Sequence, residues 1–75
     1  MKGGGTAMEL KWEEGFMIST RVESGTVVLT ANREGLLSLA NHLRQMAEQP
    51  GGEHLHLDQY NALEEGSAEL IIEKI

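Results

Sequence analysis

Apolar and polar side chains alternate along the first third of the chain, which is the pattern of β-strands with one solvated face. The alternation predicts strand one over residues 8–12, strand two over residues 16–22 and strand three over residues 26–30. Short glycine-containing turns at residues 13–15 and 23–25 separate them, and the second turn suits a three-residue hairpin loop. We therefore expect a three-stranded antiparallel meander.

A helical period follows this meander. Asn32 is a suitable N-cap, and Glu34 falls in the first turn, where the helix dipole favours a carboxylate. The pattern predicts a helix over residues 33–48, ended by residues 50–52 (PGG). At 100° per residue, six apolar side chains share one arc of about 120°. We expect the helix to pack through this arc, which consists of Leu36, Leu39, Ala40, Leu43, Met46 and Ala47.

Two further alternating segments predict strand four over residues 54–58 and strand five over residues 68–75. The connection between them, residues 58–67, is long for a domain of this size, and such loops often carry function. The expected fold is a single α+β domain over residues 8–75 with the order β-β-β-α-β-β, in which one helix packs on one face of an antiparallel sheet. Residues 1–7 lack the parts of a signal peptide, and we expect a flexible lead-in.

One helix can cover only one face of such a sheet, and Met17, Val28 and Ile71 point to the other face. An exposed apolar patch usually marks an interface. This open sheet face is therefore a candidate surface for a homodimer or another partner, and local curling of the sheet is the alternative.

Composition excludes several classes of function. The chain has no Cys, which excludes thiol catalysis and thiolate metal sites and fits a reducing compartment, so we expect a cytoplasmic protein. It contains no apolar run long enough for a transmembrane helix. The serines lack a nucleophile-elbow context, and the glycines near the N-terminus lack the rest of a phosphate loop. We therefore expect a binding protein rather than an enzyme.

The net charge is −6, and the acidic excess lies in the last third of the chain. Residues 50–75 hold six Asp or Glu and one Lys, whereas residues 1–49 hold six acidic and five basic residues. Such a surface repels phosphate backbones, and three aromatic residues make no stacking platform, so we expect no nucleic-acid partner. A basic protein is the natural electrostatic complement, although this acidity can equally serve solubility.

The partner-binding residues that we predict lie mainly in the long connection. Its carboxylates can steer a basic partner, and an aromatic residue can anchor one. The predicted residues are Asp58, Tyr60, Glu64 and Glu65, together with Trp12 at the end of strand one. Trp12 is more simply explained as a core or rim aromatic.

The most specific spacing in the chain is His54-x-His56-x-Asp58. Residues two apart on a strand share a face at roughly 6.5 to 7 Å, so these side chains could converge on a zinc ion. A solvated strand face explains the same pattern, and we expect no metal and no cofactor. Two alternative functions stay open: a small metal-binding protein that uses this triplet, and a homodimeric structural module that uses the open sheet face.

Five short segments of the chain resemble the immunity protein 32 family of bacterial polymorphic-toxin systems. These are residues 54–58 (HLHLD), 63–67 (LEEGS), 69–72 (ELII), 12–16 (WEEGF) and 31–36 (ANREGL). The resemblance implies a cytoplasmic protein that neutralises a toxin by tight binding. It implies no catalytic residues.

Overall fold

The structure, a computed structural model, describes residues 11–75 and has the predicted α+β class. Its elements are β1 (Ile18–Glu23), β2 (Thr26–Ala31), α1 (Arg33–Ala47), β3 (His54–Leu57) and β4 (Leu70–Glu73). The strands form two antiparallel pairs, β1-β2 and β3-β4, so the single sheet predicted from the sequence is wrong for the described residues. Residues 8–10 of the predicted strand one lie outside the described residues, and residues 11–12 are not in a strand.

The β1-β2 hairpin closes through a two-residue turn rather than the predicted three-residue loop. Glu23 pairs with Thr26, so only Ser24 and Gly25 lie between the strands. Both have positive φ, 49° for Ser24 and 84° for Gly25. Positive φ at both central residues is the type I′ geometry, whose twist matches that of the flanking strands.

The sheet is divided because the outer edge of β1 is covered by an irregular segment rather than by a strand. The amide of Glu64 donates to the Ile18 carbonyl at 2.8 Å, and the amide of Ala68 donates to the Thr20 carbonyl at 3.0 Å. The Thr20 amide donates to Ser67 Oγ at 3.2 Å, and the Thr20 hydroxyl donates to the Ala68 carbonyl. Residues 64–68 therefore join the two hairpins.

Helix α1 begins as predicted at the N-cap Asn32, whose Oδ1 accepts a hydrogen bond from the Gly35 amide at 2.8 Å. Its buried side is not the predicted arc. The structure buries Gly35, Ser38, Leu39, His42 and Met46, and it exposes Leu36, Ala40, Leu43 and Ala47. The buried side is centred about 80° around the axis from the predicted arc, at 100° per residue.

Gly35 explains this rotation. A Cβ atom at this position would lie 2.5 Å from the Met17 carbonyl oxygen and 2.9 Å from Ile18 Cγ1. The missing side chain lets the first turn of α1 approach the start of β1. Leu36 and Leu43 lie on the exposed side of α1.

The core lies between α1, the two hairpins and the connection that follows β3. Its buried apolar members are Ile18, Leu39, Met46, Leu55, Leu57, Ala62 and Leu63, with Trp12, Phe16, Ala31, Leu70 and Ile72 packed around them. Leu55 and Leu57 are buried and pair with Ile72 and Leu70 across β3-β4, so these four residues form the inner face of that hairpin. Among the described residues, no helix is long and apolar enough to cross a membrane.

Candidate functional site

Residues 58–67, here called the acidic connection, begin in a turn built around Asp58. The Asp58 carbonyl accepts from the amides of Asn61, Ala62 and Leu63 at 3.2, 3.1 and 2.9 Å. Asp58 Oδ1 accepts from the Tyr60 amide at 2.9 Å, which is an Asx-turn. These hydrogen bonds give the start of the segment a defined turn, which its length alone does not indicate.

Asn61 fixes this turn to the end of β3. Its Oδ1 accepts from the Asp58 amide, and its Nδ2 donates to the His56 carbonyl, both at 2.9 Å. At the other end of the acidic connection, Gln59 Oε1 accepts from the Gly66 amide at 2.9 Å. Hydrogen bonds from Asn61 and Gln59 therefore hold both ends of the segment, and neither residue was among the predicted site residues.

The middle of the acidic connection is anchored in the core. Ala62 and Leu63 are buried, and the next residue, Glu64, bonds through its amide to the Ile18 carbonyl of β1. Backbone groups tied in this way keep a segment ordered. The acidic connection is therefore a fixed surface feature.

This fixed segment presents an aromatic ring and carboxylates to solvent. Tyr60 is 87% exposed, Glu64 and Glu65 are exposed, and Asp58 is half-buried. The segment contains three acidic residues and no Lys or Arg. An exposed tyrosine in a hydrogen-bonded segment whose charged residues are all acidic suits recognition of an oppositely charged protein.

A cleft of about 310 Å³ lies where the acidic connection meets the β1-β2 hairpin. It contains Met17 from the predicted open sheet face and Glu64 from the acidic connection. The predicted open sheet face and the acidic connection, which were alternative candidates for the partner-binding surface, therefore meet at this cleft. The residues that line the cleft are Met17, Ile18, Ser19, Thr30, Ala31, Asn32 and Glu64.

The remaining members of the predicted open sheet face are divided between the two hairpins. Val28 pairs with Arg21, which places it on the same face of β1-β2 as Met17, away from the α1 contact at Ile18. Ile71 belongs to β4 and pairs with His56 in the other sheet. The three residues do not line one sheet.

Trp12 packs against α1. Its ring stacks on Phe16 with 4.7 Å between centroids and meets His42 edge-on at 4.2 Å. His42 is fully buried, and its Nε2 donates to the Lys11 carbonyl at 2.9 Å. The half-buried Trp12 is therefore a packing residue at the edge of the core, with only part of its ring available to a partner.

The predicted histidine triplet is only partly brought together. His56 Nε2 lies 3.6 Å from Asp58 Oδ2 and 2.5 Å from Glu69 Oε2. His54 is not in this cluster, which consists of His56, Asp58 and Glu69. Sequence reasoning missed Glu69, because its proximity to His56 depends on the pairing of β3 with β4.

The fold and its surface define a small α+β protein that displays an ordered acidic segment. Residues 26–75, about two thirds of the chain, match the family model described as Immunity protein 32. The chain belongs to the immunity protein 32 family, as its resemblance predicted. No curated protein and no solved structure matches the chain.

Proposed function

We propose that this protein is a non-enzymatic immunity protein that neutralises a cognate bacterial toxin by binding it directly in the cytoplasm. Membership of the immunity protein 32 family supports the immunity role. The toxin surface that it binds is basic, and the acidic connection is the part of this chain that contacts it.

The single observation that carries this proposal is the exposure of Tyr60 on a fixed backbone. Tyr60 is 87% exposed, while its amide donates to Asp58 and the nearby Ala62 and Leu63 are buried. A large ring that gains no stability from the fold is available to a partner. Because the backbone is already ordered, binding costs less conformational entropy than ordering a free loop would.

The carboxylates of Glu64 and Glu65 supply the electrostatic part of recognition. Both are exposed, and the acidic connection contains no cation to neutralise them. Charges of one sign on a surface raise the association rate of an oppositely charged partner more than they lengthen the life of the complex. Glu64 also borders the cleft, so a side chain of the toxin can enter the cleft beside it.

The test begins with co-purification of this chain from its source cell and identification of the retained toxin by mass spectrometry. The purified toxin is then assayed for its own activity with increasing amounts of this protein. Activity that falls to zero at a stoichiometric ratio is the expected result. A toxin that keeps full activity in excess of this protein would contradict the proposal.

A further inference from the structure

The outer face of the β3-β4 hairpin carries a cluster of one imidazole and two carboxylates, from His56, Asp58 and Glu69. His56 pairs with Ile71 and Leu57 pairs with Leu70, so continuing the register by one residue sets Asp58 opposite Glu69. Side chains alternate between the faces of a strand, which places His56, Asp58 and Glu69 on the same outer face. One imidazole and two carboxylates thereby converge from two strand ends.

The ligand atoms of these residues are close to the spacing that a zinc ion needs. They all lie within 4.8 Å of one another. Zinc bonds of about 2.0–2.2 Å in a tetrahedral arrangement place neighbouring ligand atoms about 3.3 Å apart. The 3.6 Å between His56 Nε2 and Asp58 Oδ2 already approaches this value.

The third ligand needs only side-chain rotation. Glu69 Oε2 lies 2.5 Å from His56 Nε2, in a hydrogen bond that a metal ion would replace. The Glu69 side chain is 58% exposed, so it can withdraw from His56 toward Asp58 without disturbing the core.

Asp58 is held in place for this role. Its Oδ1 accepts from the Tyr60 amide, while its Oδ2 is the atom that faces His56. Asn61 bonds to the backbone of both His56 and Asp58, which fixes the two residues relative to each other. Ligands oriented by such outer partners bind a metal with less rearrangement.

We propose that His56, Asp58 and Glu69 bind a divalent transition-metal ion, with zinc as the ion that fits the donor set. One nitrogen and two carboxylate oxygens supply three ligands, and water supplies the fourth. The ion joins the end of β3 to the start of β4, directly before the turn that carries Tyr60. Its binding stabilises that junction.

The same hairpin contains an internal control. His54 lies two residues before His56 on the same face and pairs with Glu73 across the strands. Among the residues that the structure describes, His54 and Glu73 do not belong to any group of three converging ligands. His54 thus lies opposite a glutamate without a third ligand nearby, whereas His56 lies close to both Asp58 and Glu69.

The test is isothermal titration calorimetry of zinc chloride into the untagged full-length chain, with the variants His54→Ala, His56→Ala and Glu69→Gln. We expect one zinc ion per chain, affinity unchanged by His54→Ala, and affinity weakened at least about tenfold by His56→Ala and by Glu69→Gln. Circular dichroism of each variant without zinc checks that it is folded. Glu69→Gln keeps the size of the side chain, so it tests the ligand even if His56→Ala does not fold.

Three results would overturn the zinc site. The wild-type chain could show no stoichiometric heat with zinc, folded His56→Ala could bind zinc as the wild type does, or His54→Ala could lose binding as completely as His56→Ala. The titration contains no toxin, so none of these results tests toxin neutralisation.

Discussion

Gly35, Ser38 and His42 occupy the buried side of α1, where small or polar side chains meet the start of β1 and the segment around Trp12. Ser38 Oγ accepts from the Glu13 amide at 2.8 Å, and His42 donates to the Lys11 carbonyl. These hydrogen bonds tie residues 11–13 to the helix. The positions of apolar residues in the sequence do not reveal this buried side, because Gly35, Ser38 and His42 are not large apolar residues.

The burial difference between Leu39 and Leu43 predicts a difference in stability. Leu39 is 6% exposed and Leu43 is 45% exposed. Leu39→Ala should lower the free energy of unfolding by about 2–5 kcal/mol, as truncation of buried leucines does. Leu43→Ala should cost less than about 1 kcal/mol, and urea denaturation of both variants measures the two values.

The two variants are matched controls for each other, because they make the same chemical change four residues apart on one helix. Equal losses would show that α1 packs through the predicted arc, which contains both leucines, rather than through the side that the structure buries.

The close approach of Gly35 to β1 predicts that Gly35→Ala lowers folding stability. Alanine at an internal helix position is normally favoured over glycine by about 1 kcal/mol. Here the added Cβ would lie 2.5 Å from a backbone oxygen of Met17, which cannot move as a side chain can. We expect a net loss of about 1–3 kcal/mol in thermal or urea unfolding, the usual cost of overpacking. A stabilised Gly35→Ala protein would contradict the close approach.

At the scale of elements, Asn32 joins three parts of the fold. Its Oδ1 accepts from the amides of Gly35 in α1 and Met17 before β1, at 2.8 and 3.0 Å. Its Nδ2 donates to the Gly15 carbonyl at 2.9 Å. The sequence predicted its role as a helix cap but not the other two bonds, because they depend on how the turn at residues 13–15 folds back.

Replacement of Asn32 separates these roles. Asn32→Ala loses all three side-chain bonds and should lower the free energy of unfolding by about 2 kcal/mol or more. Asn32→Asp keeps both acceptor bonds but sets a carboxylate oxygen against the Gly15 carbonyl oxygen, so it should retain only part of the stability that Asn32→Ala loses. If urea unfolding gives the same midpoint for Asn32→Ala and the wild type, Asn32 does not join these elements.

The order β-β-α-β-β of the described elements could be predicted from the sequence. The predicted strand one is wrong at residues 11–12, and the arrangement of the strands in two sheets could not be predicted. Period-2 and helical patterns located β1, β2, α1, β3 and β4 because such patterns are local. The division into two sheets depends on Thr20 bonding to residues 67 and 68, which are 47 and 48 positions away. The position of Glu69 beside His56 likewise depends on strand register.

For the whole molecule, the proposed function depends on how the acidic connection is held. The segment is bonded to β1 through Glu64, to the end of β3 through Asn61 and to the core through Ala62 and Leu63. Sequence alone indicated the charge and the aromatic residue, but it could not show that their backbone is ordered. An ordered acidic surface is the property that the proposed neutralisation of a basic toxin requires.

The contribution of Tyr60 is predicted to appear in the lifetime of the complex with the toxin. Tyr60→Ala should increase the dissociation rate while leaving folding stability nearly unchanged, because the exposed ring adds little to the core. Surface plasmon resonance and urea unfolding measure the two quantities. If Tyr60→Ala dissociates as slowly as the wild type while changes at Val28, which does not line the cleft, abolish binding, the contact lies on the open sheet face instead.

The most direct test of the account compares two double variants, Glu64→Gln/Glu65→Gln and Glu13→Gln/Glu14→Gln, in stopped-flow association with the purified toxin. Both remove two adjacent exposed glutamates and change the net charge equally. We expect the 64/65 variant to associate several-fold more slowly than the wild type at low salt, and this difference in rate to shrink as salt is added. The 13/14 variant should associate at nearly the wild-type rate. Equal effects of the two variants would show that net charge alone steers the toxin, and would contradict recognition through the acidic connection.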